Sequence, residues 1–161
     1  MTEKEFSILF DTHFEEIRRY IFFRSGDVVI STDIAQETFM KVWEKQLDVS
    51  PHEDVALLYK MAGNLMISHF RREKLSRKAR QEMDLQLTDD QDHDIYYKEL
   101  KATYKKALMK LPDKQRLVFM MSRMEQFTYR EISERLEISI KTVEKRMHQA
   151  LKFLRKELDL T

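Results

Sequence analysis

The sequence predicts an all-α chain: two small helical domains joined by a flexible acidic linker, the second carrying a helix-turn-helix. Three observations predict it. Only 2 Gly and 2 Pro occur in 161 residues, and no sustained apolar/polar alternation bounded by tight turns marks a strand. Apolar residues recur instead at helical spacing along most of the chain. Between the two patterned halves, 81–94 reads QEMDLQLTDDQDHD, with too little apolar side chain to offset the entropy of ordering. The expected domains are 1–75 and 99–161, with 76–98 as linker.

The first helix is expected from the stripe Phe6, Phe10, Phe14, Ile17 and Ile21, interrupted at Gly26 and Asp27. A second is expected to start near Ser31, with Asp33 complementing its dipole and Ala35, Thr38, Phe39 and Val42 on its apolar face. After a loop at 45–49, Ser50-Pro51-His52-Glu53 has the form of a helix start, an N-cap Ser with Pro in the first turn. The stripe Val55, Leu58, Ala62, Leu65, Met66 and Phe70 follows and fades into RREKLSRKAR. Beyond the linker, Leu100, Tyr104, Ala107, Leu108 and Leu111 predict a fourth helix. Pro112 starts a fifth, carrying Val118, Phe119 and Met121.

The stretch 128–158, TYREISERLEISIKTVEKRMHQALKFLRKEL, is the most informative. Thr128 and Glu131 have capping-box spacing, and Ile132 and Leu136 follow as an apolar stripe. A second start comes at Ser139 after a short break. Val143, Met147, Ala150, Leu151, Leu154 and Leu158 line one face of that helix and Lys141, Lys145, His148 and Lys152 another. Two closely joined helices, the second with a basic outer face, are what laying a helix in a DNA major groove requires.

Charge distribution agrees. Net charge is only +1, but 1–75 carries 10 Lys and Arg against 13 Asp and Glu, 76–98 carries 4 against 6, and 99–161 carries 15 against 9. The basic excess shares a third of the chain with the helix-turn-helix, where cations gain affinity by releasing counterions from phosphates; the plainer alternative is a solvated lysine-rich surface. With no cysteine, disulfides and thiolate metal sites are excluded. The five His residues are scattered without paired-ligand spacing. There is no Gly-rich phosphate loop and no nucleophile-base pair, so no enzyme, metal, cofactor or small-molecule substrate is expected. The start MTEKEF lacks signal-peptide character and no apolar run approaches the roughly 20 residues of a membrane span, so a cytoplasmic protein without membrane insertion is expected.

Taken together the two halves resemble a bacterial sigma factor of the small extracytoplasmic-function (ECF) class. FDTHFEEIRRYIFFRSGD, DIAQETFMKVWEK and LLYKMAGNLMISHFRREK resemble the family's second domain, and LMKLPDKQRLVFMMSRMEQFTYREISERLEISIKTVEKRMHQALKFLR its fourth. The chain departs from the family pattern at Glu137 and Gln126, where Gly is usual. It departs also at Ser68 (usually acidic), Leu57 (often aromatic) and Gly63 (usually basic).

The resemblance implies a promoter-selecting subunit of RNA polymerase that helps open the duplex and has no catalytic centre. Its partners would be the core enzyme and promoter DNA, and an anti-sigma protein is a further partner that it admits. The helix from Ser139 would read the minus-35 element through Lys141, Thr142 and Lys145, with Arg130, Arg135 and Arg146 on phosphates; pairing of Arg146 with Glu144 or Glu131 is the alternative. Lys60, Asn64, Arg71 and Arg72, with loop 45–49, would hold the unpaired minus-10 strand. For Asn64 a helix-helix hydrogen bond in the core competes, and Tyr59 is expected half-buried in the core, with stacking on a base as the alternative. Asp33, Gln36, Glu37, Met40 and Trp43 match the family's surface for a coiled coil of the polymerase largest subunit, with burial of Trp43 in the core as the alternative. The tether at 84–94 would lie on the nucleic-acid path. Two other functions fit parts of the pattern: a dimeric helix-turn-helix regulator acting without polymerase, and a helical adaptor.

Overall fold

The computed structural model describes residues 1–74 and 95–159, with side chains in the second stretch from Ala102 onward. Every regular element among the described residues is α-helical, and the helices form two compact units. The acidic tether lies outside the described residues.

The first unit packs α1 (Glu3–Ser25), α2 (Val28–Glu44) and α3 (Val55–Arg72), each against both others. A capping box opens α1: the Glu5 N–H donates to Thr2 Oγ1 at 3.1 Å and the Thr2 N–H to Glu5 Oε2 at 2.8 Å. Gly26 ends it in the left-handed conformation, φ 70°, returning its N–H to the Phe22 carbonyl. Asp27 then caps α2 by accepting from the Ile30 N–H at 3.0 Å. The helix therefore starts at Val28, ahead of the expected Ser31. Ser31 is buried inside α2, donating to the Asp27 carbonyl, and Asp33 lies beyond the first turn.

The expected helix start at Ser50-Pro51 is not one. Residues 51–53 form a turn that does not propagate, and α3 begins at Val55. The Asp54 carboxylate accepts from the Ser50 N–H at 2.8 Å while the Asp54 N–H donates to the Ser50 carbonyl at 3.2 Å, closing the loop on itself. The Pro51 carbonyl, which a helix would direct at Val55, accepts from His13 instead.

Leu9, Ile17, Ile21, Ile34, Ala35, Phe39, Val42, Leu58, Ala62 and Met66 fill the core, closed by Val49 from the loop. The phenylalanines expected to lead the buried stripe of α1 are only half-buried at Phe6, Phe10 and Phe14. They form a ring ladder, Phe10 on Phe14 at 4.5 Å and on Phe39 at 5.3 Å. Gly63 allows α3 its close approach to α1: a Cβ there would lie 3.0 Å from Tyr20 Oη and 3.3 Å from Arg24 Nη1.

The second unit comprises α4 (Ile95–Lys110), α5 (Asp113–Arg123), α7 (Ile140–Glu157) and α6 (Tyr129–Leu136) as far as Ser133, with Glu134–Glu137 grouped with the first unit. Helix α4 reaches back to Ile95, so 95–98, expected as linker, is helical. Pro112 supplies the N-cap of α5, its carbonyl accepting from the Arg116 N–H. Leu108, Val118, Met120, Met121, Ile132, Val143, Met147 and Ala150 form the core, with α7 packed on α5 and α4.

Candidate nucleic-acid and partner interfaces

Local capping builds the helix-turn-helix. The Glu131 N–H donates to Thr128 Oγ1 and the Thr128 N–H to Glu131 Oε1, each at 3.1 Å, the reciprocal box expected from spacing. Leu136 ends α6, and the turn passes through Glu137 at φ 54°. A left-handed conformation costs a side-chain-bearing residue about 1 kcal/mol, and this turn accepts that cost where glycine would avoid it. Gln126, entering the motif, is likewise left-handed at φ 58°. Ser139 caps α7 by accepting from the Thr142 N–H at 3.0 Å.

With Val143, Met147, Ala150 and Leu154 of α7 buried, Lys141, Lys145, His148 and Lys152 are left exposed together. Cations on the first turns can reach base edges and phosphates when a helix N-terminus enters a groove. Thr142 is half-buried, its hydroxyl 2.8 Å from Ser139 Oγ, so it belongs to the cap as well as to the expected contact set. Arg146 is half-buried, Arg130 is exposed in the first turn of α6, and Arg135 lies in its last turn. Ile140, 42% exposed at the head of α7, was not read from the sequence as a surface residue. An apolar side chain there is of the kind that meets a thymine methyl.

Helix α3 presents Leu57, Lys60, Asn64, Ile67 and Arg71 along one exposed line, with Arg72 beside it. Asn64 points outward, so the core hydrogen bond weighed against it is not made. Tyr59 is 2% exposed, donates to Glu16 Oε2 at 2.6 Å and packs on Tyr20, so its ring is not offered to a base. Cations alternating with apolar side chains suit a single strand, whose phosphates and base faces both need partners. Sequence reasoning missed two cooperating residues. Ile67 is 42% exposed within the row. Arg24 reaches over Gly63 from α1, donating to Tyr20 Oη at 2.9 Å, and so brings a guanidinium to a stretch of α3 that lacks a side chain. In the expected loop, Lys45, Gln46 and Asp48 are exposed, but Val49 is core and unavailable.

The third surface is an apolar groove between α1 and α2. Glu3, Phe6, Phe10, Gln36, Phe39, Met40 and Trp43 line a cavity of about 380 Å³. Trp43 is half-buried with its ring centroid 5.2 Å from that of Phe6, and Met40 is 57% exposed. Three of the five expected α2 residues (Gln36, Met40 and Trp43) are thus brought together. Asp33 is exposed outside the lining, and Glu37 pairs with Lys41 at 3.9 Å. Phe6 and Phe10 form the opposite wall, a role that their place in a helical stripe does not reveal. An open apolar cleft of this kind suits an inserted side chain of a protein partner. Among the described residues no group of His, Asp and Glu could hold a metal ion, and no helix is long and apolar enough to cross a membrane.

Comparisons with known proteins match these regions. Residues 9–76 match the family model for sigma-70 region 2 and residues 102–154 that for sigma-70 region 4. The chain is similar to the RNA polymerase sigma factor YlaC of Bacillus subtilis (strain 168), with 27% identity over 155 residues, 93% of this chain and 90% of that protein. It is also similar to the ECF RNA polymerase sigma factor SigW of the same organism, with 28% identity over 169 residues, covering 95% and 88%. In fold it resembles the sigma factor RpoE solved with the anti-sigma factor NepR from Bartonella quintana (TM-score 0.68, 21% identity, 98% of each chain). It likewise resembles CnrH solved with the cytosolic domain of CnrY (TM-score 0.66, 20% identity, 98% and 90%).

Proposed function

The chain belongs to the sigma-70 family as an RNA polymerase sigma factor of the ECF type, and we propose that it divides its work with core polymerase and promoter DNA among the three surfaces described. The α1–α2 groove docks on the core enzyme, α7 reads the duplex at the minus-35 element, and α3 with the preceding loop holds the unpaired minus-10 strand.

Placement of Trp43 and Met40 in an open cleft carries this reading. A dimeric regulator has no need of such a cleft in its N-terminal half, whereas a polymerase subunit needs a desolvating anchor. Aromatic residues in a pocket with a polar rim dominate interface energies, and Gln36 and Glu3 supply that rim. With polymerase held there, Lys141 and Lys145 enter the major groove from α7, while Arg130, Arg135 and Arg146 fix register on phosphates without reading sequence. Bases released on opening meet Lys60, Asn64, Arg71 and Arg72. Asn64 can both donate to and accept from a base edge. The chain contributes binding energy rather than a reaction centre and acts in the cytoplasm beside polymerase. An anti-sigma protein that covered the same groove would silence the chain by competition; the structural neighbours RpoE and CnrH were solved in complex with the anti-sigma factor NepR and the cytosolic domain of CnrY.

Run-off transcription with native core polymerase over a panel of genomic promoters tests the assignment. Promoter-specific transcripts that require the chain are expected, and their loss with Trp43→Ala would tie them to the groove. Specific duplex binding with no affinity for core polymerase would return the chain to the class of free regulators.

A further inference from the structure

One buried titratable group has no part in the scheme above. His13, 5% exposed on α1, spans two elements. Its Nε2 lies 2.5 Å from the Pro51 carbonyl oxygen, and its Nδ1 lies 3.4 Å from Glu16 Oε1. Glu16 in turn accepts from the Tyr59 hydroxyl of α3. An apolar side chain would fill this volume without the desolvation cost of a buried imidazole, so the polar contact must serve geometry. What it reaches is the irregular segment between α2 and α3. That segment takes Gln46 through a left-handed conformation and lacks helical hydrogen bonding at Pro51. Its other restraints include the Ser50–Asp54 ring, the buried Val49 and, at its start, the Gln46 and Leu47 N–H groups donating to the Trp43 and Val42 carbonyls.

We propose that His13 is a positioning residue for the minus-10 strand: its Nε2–H holds the Pro51 carbonyl and so sets the 45–54 segment against the exposed row of α3. The proposal rests on the reading of α3 and this loop as the single-strand site. The mechanism is pre-organisation. A loop already held in its binding geometry does not have to be ordered when the strand arrives. The α1–α2 groove and α7 do not depend on the Pro51 carbonyl, so the effect belongs to one of three surfaces.

The test uses the full chain bound to core polymerase. Binding of a fluorescent single-stranded minus-10 oligonucleotide is compared with that of the same strand altered at one promoter base, for wild type, His13→Ala and His13→Gln. Core affinity, duplex minus-35 binding and thermal stability are measured alongside. His13→Ala should lose about tenfold in discrimination between the strands, the effect of one buried hydrogen bond, with core and duplex affinity unchanged. His13→Gln, whose carboxamide N–H can still donate to the Pro51 carbonyl, should recover part of it even if the Ala variant folds poorly. Full discrimination in His13→Ala, or no advantage of Gln over Ala, overturns the positioning role. Lys60→Ala with Asn64→Ala is the control for the underlying site: unchanged strand binding in that variant means the site lies elsewhere and the proposal falls with it.

Discussion

The groove between α1 and α2 and the outer face of α7, the proposed core-binding and duplex-binding surfaces, are built on opposite physics. The groove is walled by Phe6, Phe10, Phe39 and Trp43, so its affinity comes from removing apolar surface from water. The face of α7 is a row of exposed cations at Lys141, Lys145 and Lys152, so its affinity comes from counterion release. With the proposed roles, the difference teaches that salt should separate them: a chain of this design is expected to keep its hold on a protein partner under conditions that strip it from DNA.

Trp43→Ala should produce the largest effect. Truncating an anchor in an aromatic pocket costs about 2 kcal/mol or more, roughly thirtyfold in affinity. Core-polymerase binding measured by fluorescence anisotropy should weaken by that much at both low and high salt, while the thermal transition of the α4–α7 unit stays in place. A loss that appears only at low salt would mean that the groove works by charge and the contrast fails.

Lys141→Ala with Lys145→Ala comes next. Lysines that enter the groove also displace counterions from the phosphates flanking it, so each of the two removed should lower the slope of log K against log salt by up to about 0.9. Titration of minus-35 duplex with salt should therefore give a shallower line for the double variant, with core binding untouched. An unchanged slope would place the cationic contacts on another face of α7.

These two regions were unequally legible in the sequence. The helix-turn-helix could be read because its determinants are local: Thr128 with Glu131, then Ser139, act within one turn, and spacing alone reveals them. The family resemblance puts Met40 and Trp43 on the proposed partner face of α2, but Phe6 and Phe10 read as core, since a helical stripe does not say whether anything covers it. Ser50-Pro51 has the local form of a helix start and is none, because His13, 38 residues earlier, takes the Pro51 carbonyl. The expected start near Ser31 is too late, because Asp27, read as part of the break after α1, has the same capping chemistry. The structure makes Asp27 the cap and buries Ser31. Arg24 over Gly63 was equally hidden, since only the packing of α1 on α3 brings them together. What was legible is short-range capping and periodicity; what was not depends on which surfaces the tertiary fold leaves uncovered.

A smaller effect is expected in the turn that orients α7. Glu137→Gly relieves left-handed strain of about 1 kcal/mol, but the added freedom of the unfolded chain takes back about half of it. The net gain of about 0.5 kcal/mol should raise the transition of the α4–α7 unit by a few degrees in calorimetry. Duplex affinity should hold, because Glu137 precedes the cap at Ser139. A fall in stability would mean that the Glu137 side chain makes a contact worth more than its backbone strain.

The smallest effect sharpens the contrast from the other unit. Burial disfavours the charged form of His13, but the Glu16 carboxylate and the Pro51 carbonyl outweigh it and raise the imidazole's pKa above its ordinary 6.5. The sign follows from linkage. A group that holds its proton more tightly when folded contributes stability that is fully present below about pH 6.5, its unfolded value, and is lost as pH rises through the folded value. Melting of the α1–α3 unit should therefore drop as pH is raised through that window in the wild type, and should be flatter in His13→Gln, which cannot titrate. Because burial offsets much of the carboxylate's pull, the drop should be slight beside the loss from Trp43→Ala. An equal drop in His13→Gln would assign the pH dependence to a group other than His13.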